Sequence, residues 1–249
     1  MINGYLQNGY LILKDVFDAT ELKKEAIRLE NEPLDETYII EDNNTIRSLF
    51  APHWKSKTIN EFIYNNNVID FVKEILGQDI YIHQCHINYK KAQTGGEYAW
   101  HSDYTYWKNF DGMNNPDAIS VLFLLDNMTK NNGPLTVLEK SQNLPVPKIN
   151  DSKWTIKHSA DESQGILDDD MVSKTNCSAI QLTGKAGDVI CMHANTLHYS
   201  GRNTSELDRN VLFVCYNKTN NAITKPTRPN YIVLTPIPLD VALYQAVQT

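Results

Sequence analysis

The period of apolar positions along the chain changes once, near residue 79, and the change splits the predicted elements into two groups. Before it, Gly9-Tyr10-Leu11-Ile12-Leu13 reads as a short strand. Asp18 or Thr20 then caps a helix reaching about Glu30, with Leu22, Ile27 and Leu29 among its apolar positions. Residues 31–57 are polar and irregular, and a second helix is predicted from about Thr58 to Leu76, ended by Gly77. After residue 79 the period is that of strands. Ile80 and Ile82, then Cys85, Ile87 and Tyr89, approximate two alternating sets. Ala118 to Leu125 is an apolar run of buried-strand length. Shorter ones follow at Leu135–Leu138, Ala179–Leu182, Val189–Met192 and Val211–Val214, each bounded by Gly, Pro, Asn or Asp. The acidic segment 160–175 reads as a short helix or surface loop and as a candidate lid. Helices first and many short strands later predict an α+β, mainly β chain whose body is a sandwich or double-sheet barrel.

Composition narrows this. A β body of roughly 200–250 residues is commonly one domain, so a chain of 249 residues fits one. A hydrophobic fraction of 41% with 10% aromatics builds a core and excludes global disorder. With 23 Lys+Arg against 30 Asp+Glu the net charge is −7, which argues against nucleic acid, whose phosphates need Lys and Arg. The 4 cysteines (Cys85, Cys177, Cys191, Cys215) form no CxxC pair and no disulfide framework, and Cys191 and Cys215 read as small core residues. MINGYLQNGYLIL has no basic stretch followed by a long apolar one, and the apolar run 121–125 falls far short of the ~20 residues of a membrane span. A cytoplasmic protein with a small-molecule partner, no membrane contact, and a monomeric or homodimeric state is expected.

Of 7 histidines, His101 is the one with immediate company. In Trp100-His101-Ser102-Asp103, an extended backbone turns residues i and i+2 to one face, so His101 and Asp103 can share a metal. A third ligand has to come from elsewhere. His198 in GDVICMHANTLHYSGRN is preferred; His193, five residues earlier, is the alternative and reads otherwise as strand-end packing. His53 and His158 have no partner pattern and read as surface or polar residues. Two histidines and a carboxylate leave one face of an octahedral metal open, the geometry of non-haem Fe(II) oxygenases. Ser200 lies two residues and Arg209 eleven residues after His198. A guanidinium fork with an added hydroxyl donor suits the carboxylate of a co-substrate such as 2-oxoglutarate.

The pattern HxD followed by HxSxxNxSxxxR resembles the phytanoyl-CoA dioxygenase superfamily of Fe(II)/2-oxoglutarate oxygenases, and within it the ectoine hydroxylase branch. Tyr81-to-Lys90, Tyr98-Ala99-Trp100-His101-Ser102-Asp103, Trp107, Asp111-Gly112-Met113, Ala118-Ile119-Ser120, Asn132-Gly133-Pro134-Leu135 and Thr227-Arg228-Pro229 carry the likeness over roughly residues 79–230. The resemblance implies a double-stranded β-helix (jelly-roll, cupin-like) core of about 79–235 behind an N-terminal helical flank of about 1–78, in one domain over 1–249. It implies His101, Asp103 and His198 as catalytic iron ligands, and Arg209 and Ser200, with Gln84 and Asn88, as 2-oxoglutarate-binding residues. Tyr98, Trp107 and Ser120 match positions near the substrate, with His86 and Arg202 as further candidates. His86, Lys90 and Arg202 are the cations to consider for a substrate carboxylate.

The implied reaction consumes 2-oxoglutarate and O2, releases succinate and CO2, and hydroxylates an unactivated C–H bond of a small polar amino-acid-like metabolite. Related halogenases carry a small residue in place of this carboxylate, so Asp103 points to an oxygen-derived product. Oxidative demethylation, desaturation, a larger acyl or carrier-bound substrate, and a non-catalytic ligand-binding jelly-roll are the alternatives. The chain departs from the branch twice: His86 stands where the branch has a basic residue, and Lys140-Ser141-Gln142 replaces Gly-Ser-His. Both departures bear on ectoine as substrate and leave the iron and co-substrate positions untouched.

Overall fold

A computed structural model describes residues 2–32, 39–42, 45–146 and 169–240. Among the described residues, eleven antiparallel strands lie in two sheets, ordered β1-β9-β6-β11-β4-β3-β2 and β5-β10-β7-β8. The larger sheet holds β1 (Tyr10–Leu13), β2 (Ile39–Asp42), β3 (Thr45–Phe50), β4 (Ile80–Lys90), β6 (Ala118–Leu124), β9 (Val189–His193) and β11 (Arg209–Lys218). The smaller holds β5 (Tyr98–His101), β7 (Leu135–Leu138), β8 (Ala179–Gln181) and β10 (His198–Ser200). This is the expected jelly-roll. The helices α1 (Ile2–Asn8), α2 (Thr20–Asn31), α3 (Lys57–Tyr64) and α4 (Ile69–Leu76) supply apolar residues to a core against the outer face of the larger sheet.

Alternation along the strands builds two cores from one sheet. Cys85, Ile87 and Tyr89 of β4, with Leu212 and Val214 of β11, pack outward with Leu22, Ala26 and Leu29 of α2. Val211, Phe213 and Cys215 instead join Leu122, Leu135, Val137 and Met192 in the apolar interior between the sheets. The polar residues of β4 lie on that interior side.

Several expectations change in detail. The two alternating sets in Ile80–Tyr89 are one strand interrupted by a bulge: Cys215 pairs Gln84 and the next residue, Tyr216, pairs Ile82. A bulge shifts the pleat by one residue, which is why the apolar phase slips at His83. The single helix expected from Thr58 to Leu76 is two, α3 and α4. Between them the Asn66 side chain donates to Phe62 O and Ile63 O and accepts from Val68 N at 2.9 Å, so it ends one helix and begins the next. Residues 39–42 and 45–50, expected to be irregular, are β2 and β3. The first 78 residues therefore add three strands to the sheet besides their helices. His53, expected at the surface, is buried and its imidazole is pushed down to about 4 by that burial. His158 and most of the acidic 160–175 segment lie outside the described residues; Asp169–Lys174 is α6. The cysteines are free, and among the described residues no helix is long and apolar enough to cross a membrane.

Lys140 has φ +69°. The conformation is held because its N–H donates to Asn8 O at 3.0 Å while Gln142, two residues on, donates to Leu6 O, so this turn clamps α1. A side chain in the left-handed region costs about 1 kcal/mol relative to glycine. Lys140→Gly is expected to raise stability by about 0.5–1 kcal/mol in denaturant unfolding, with activity unchanged.

Candidate metal centre

Neighbouring strands bring the first two nitrogen donors together. His101 ends β5, and its register partner is His198 at the start of β10. Directly opposed residues of adjacent strands carry their side chains on one face, and the two rings lie 4.1 Å apart. Each Nδ1 faces a backbone carbonyl, His101 donating to Ala99 O at 2.7 Å and His198 to Thr196 O at 3.0 Å. A carbonyl only accepts, so Nδ1 carries the proton and both Nε2 lone pairs are left as donors. Burial, and then the neighbouring His198, pushes the His101 imidazole down, which favours its neutral form.

Asp103 arrives differently from the extended HxD expectation. Ser102 is an N-cap whose Oγ accepts from Thr105 N at 3.2 Å, so Asp103 is the first residue of α5 (Asp103–Tyr106). A wide π-type turn over Trp107–Asp111 follows. The helix start still directs the carboxylate to the histidines, with Oδ1 3.8 Å from both Nε2 atoms. Ser120 of β6 donates to Oδ2 at 2.7 Å and fixes its orientation. One donor atom from each of His101, Asp103 and His198 lies within 4.8 Å of the others. His193 is outside the set: its Nδ1 accepts from Asn195 N at 3.1 Å at the end of β9.

A cationic pocket adjoins this centre. Arg209 opens β11 opposite Lys90, the last residue of β4. Arg209 Nη2 donates to Gly133 O at 2.7 Å and to Ser200 Oγ at 3.2 Å. Lys90 Nζ donates to the same hydroxyl at 2.6 Å. Ser200 Oγ in turn donates to Gly133 O at 2.9 Å, so the hydroxyl orients two cations and has no second proton to offer. Gly133 has φ +70°, and a Cβ there would stand 2.5 Å from Lys90 Cδ, so the Asn132-Gly133-Pro134 turn needs glycine to close on the pair. Arg209 Nε is buried without a partner. A buried guanidinium with an unused donor and no carboxylate among its hydrogen-bond acceptors fits an anionic ligand.

Cross-strand rows continue along the interior face of the larger sheet. Ser48, Asn88 and Val211 are opposed, then Phe50, His86 and Phe213, then Gln84, Cys215 and Ser120. Asn88 Oδ1 accepts from Ser48 Oγ at 2.9 Å and from Tyr98 OH at 3.4 Å, placing Tyr98 at the cationic end rather than beside Trp107. The His86 ring stacks on Phe213 at 4.6 Å and lies 5.1 Å from Phe50, and its buried Nδ1 has no partner. Trp107 meets the edge of His83 at 4.8 Å, and His83 Nε2 is likewise unpartnered. Arg202 is exposed. Sequence reasoning did not single out Arg228 as a site residue. It pairs with Asp111 at 2.5 Å, lies 4.3 Å from the Tyr106 ring, and leaves a buried Nε unused. Its field, like that of Asp103, acts on His86. Nor was Lys90 assigned to the Arg209 end, although the i, i+2 spacing of Gln84, His86, Asn88 and Lys90 signals one polar face.

A jelly-roll that brings two histidines and one carboxylate together, His198 buried and His101 and Asp103 half-buried, defines the class: a mononuclear non-haem metal oxygenase. The phytanoyl-CoA dioxygenase (PhyH) family matches residues 5–211, and the chain belongs to that family. It is 28% identical over 240 residues to L-proline trans-4-hydroxylase of Streptomyces griseoviridis, covering 92% of this chain and 90% of that one. It is 32% identical over 231 residues to ectoine dioxygenase of Sphingopyxis alaskensis, covering 88% and 76%. Among solved structures, EctD of S. alaskensis with 2-oxoglutarate and 5-hydroxyectoine superposes with a TM-score of 0.83 at 29% identity, over 96% of this chain and 84% of the other.

Removing the Asp103 support tests the geometry. Ser120→Ala is expected to weaken divalent-metal affinity about 10–100-fold, and His101→Ala to abolish tight binding, both by competition titration with a chelating dye.

Proposed function

We propose that the protein is an Fe(II)/2-oxoglutarate-dependent dioxygenase that hydroxylates an unactivated C–H bond of a small, free, amino-acid-like metabolite, forming succinate and CO2. The observation that carries this is a three-donor metal set with, two residues beyond His198 at Ser200, the contact of a buried arginine whose Nε has no partner. The hydroxylase and dioxygenase relatives support the substrate class. The donor set fits ferrous iron, two neutral imidazoles and a carboxylate suiting a divalent cation with open positions. When bound, iron and 2-oxoglutarate supply O2 activation, and the chain supplies position, charge and dryness.

Arg209 and Lys90 hold the distal carboxylate of the co-substrate, and Ser200 sets the angle between them. Ser120 keeps the Asp103 carboxylate turned to the metal. Phe213, Trp107 and Met192 form apolar walls around the centre and exclude water. The substrate carboxylate is assigned to Arg228, whose Asp111 partner fixes the guanidinium and leaves Nε for a further acceptor. His83 Nε2 and His86 Nδ1 take the remaining polar groups of the substrate. Burial drives both imidazoles down, His86 to about 4, so they meet the substrate as neutral groups.

The test is succinate formation with Fe(II), 2-oxoglutarate and O2 across a panel of free amino and imino acids. Release is expected only with a fitting member, and none across the panel overturns the substrate class. Arg209→Ala is expected to raise KM for 2-oxoglutarate at least ~30-fold, the scale of losing one partner of a buried charge pair. Arg228→Ala should raise KM for the amino acid and leave that for 2-oxoglutarate within about threefold.

A further inference from the structure

The bulge in β4 leaves His83 without a partner residue on β11 and turns it onto the interior wall, where its ring meets Trp107. His83 is fully buried. Its Nδ1 lies 3.2 Å from Tyr81 OH, and its Nε2 has no partner. Which ring nitrogen carries the proton is settled by what stands behind Tyr81. Lys218 N–H donates to Asn217 Oδ1 at 2.8 Å; a backbone N–H only donates, so that atom is the amide oxygen and the other is Nδ2. Asn217 Nδ2 donates to Asn221 O at 3.0 Å and to Tyr81 OH at 3.2 Å. Asn221 is oriented in the same way, its Oδ1 accepting from Asn115 N at 3.0 Å.

Tyr81 OH thus has an amide N–H directed at its oxygen, and its own single proton needs an acceptor. Among the described residues that acceptor is His83 Nδ1. A proton on Nδ1 would aim two donors at the phenol oxygen and leave the buried phenol proton unbonded, at the full desolvation cost of an unmade hydrogen bond. Nδ1 therefore keeps its lone pair, and the neutral ring carries its proton on Nε2. The unpartnered Nε2 is a donor.

Arg228 supplies a second donor nearby. Its guanidinium lies on Tyr106, the residue before Trp107, and six residues after it the chain returns to β4, where Leu234 N donates to His83 O at 2.9 Å. Its charge acts on His83, and its Nε is likewise buried without a partner.

We propose that Asn217 and Tyr81 hold His83 as an Nε2–H donor, and that this donor and Arg228 Nε together bind the two oxygens of the substrate carboxylate. The inference rests on the amino-acid reading given above and narrows it: the carboxylate occupies this corner, the amino group lies away from it, and a substrate that brings an ammonium here meets two donors. Tyr81 is a positioning residue, since it acts only through His83.

The experiment combines ¹⁵N spectra of the histidine rings with steady-state kinetics. In the Zn(II)-loaded protein carrying ¹⁵N-labelled histidine, His83, identified by its loss in His83→Gln, is expected to show an unprotonated Nδ1 and a protonated Nε2 at neutral pH. Tyr81→Phe removes the proton supplied to Nδ1 and should give a mixture of tautomers. In the Fe(II) enzyme it should raise KM at least ~10-fold for the free amino or imino acids of the panel that are turned over, with KM for 2-oxoglutarate within about threefold. His83→Leu should do at least as much. His83→Gln, whose amide offers an N–H at nearly the same reach, should recover most of that loss, and this pair stands in if Tyr81→Phe does not fold. A protonated Nδ1 in the wild type overturns the proposal, as does a substrate KM unmoved by both Tyr81→Phe and His83→Leu. No turnover across the panel overturns the functional reading itself; turnover with His83 in the other tautomer overturns only this inference.

Discussion

Arg209 stands opposite Lys90 because β4 and β11 run antiparallel in continuous register from that pair to Cys215 and Gln84. The site depends on this ladder. It opposes Phe213 to His86 and Val211 to Asn88, while β6 on the other side of β11 opposes Ser120 to Cys215. A slip of β4 by one residue would turn Lys90 into the apolar layer under the helices and bring Ile87 and Tyr89 inside. Such a slip exposes no compensating pattern, since the outward set of Cys85, Ile87, Tyr89, Leu212 and Val214 packs in one core. Hydrophobic alternation on the helix side thus fixes the placement of charge on the other.

The interior that results is apolar, with a band of polar groups crossing it. Most of that band satisfies itself. Ser200 serves Lys90, Arg209 and Gly133 O; Asn88 serves Ser48 and Tyr98; Ser120 serves Asp103. Among the described residues, the unpartnered buried atoms of this band include Arg209 Nε, His83 Nε2, His86 Nδ1 and Arg228 Nε, and the imidazole Nε2 atoms of His101 and His198 face Asp103. A buried polar atom without a partner is destabilising by about 1–3 kcal/mol. These six atoms fall at the metal set, at the Arg209 end and around Arg228, the three places that the proposed function gives to a metal, a co-substrate and a substrate.

Strand placement was legible because buried strands here are apolar runs bounded by turn residues, as at Leu135–Leu138. The candidate metal set was legible because HxD and the later histidine are local signals, although the HxD geometry was misread. Ser102 is a helix cap, and a cap looks like any serine until the chain after it is known to be helical. β3 was missed for a physical reason: it sits near the polar rim, with Ser48 and Phe50 on the interior wall and Arg47 beside Tyr98, so its composition follows the site and not a core. The bulge in β4 was present in the sequence as a slip of apolar phase at His83, but its meaning required the partner strand. Arg228 could not be placed because it lies beyond the last strand and reaches the pocket through Asp111, which sits in the turn after α5.

The substrate end follows from what stands at residue 86. A permanently charged side chain there would lie between Phe50 and Phe213 and in the field of Asp103, pairing with that carboxylate or with a substrate anion. An imidazole in the same place is held flat against Phe213 and kept neutral by burial, with Arg228 adding to that push. Positive charge at this end is thereby confined to Arg228, itself half-neutralised by Asp111. A substrate with one carboxylate and a polar group able to bond with a neutral ring nitrogen matches that distribution. A second anionic group would find no cation, and a neutral hydrocarbon chain would leave three buried nitrogens unbonded. On the proposed function the same arithmetic separates the two ends of the pocket: the dianionic co-substrate would go to the end where Lys90 adds charge, and an amino-acid-like substrate to the end where the imidazoles withhold it.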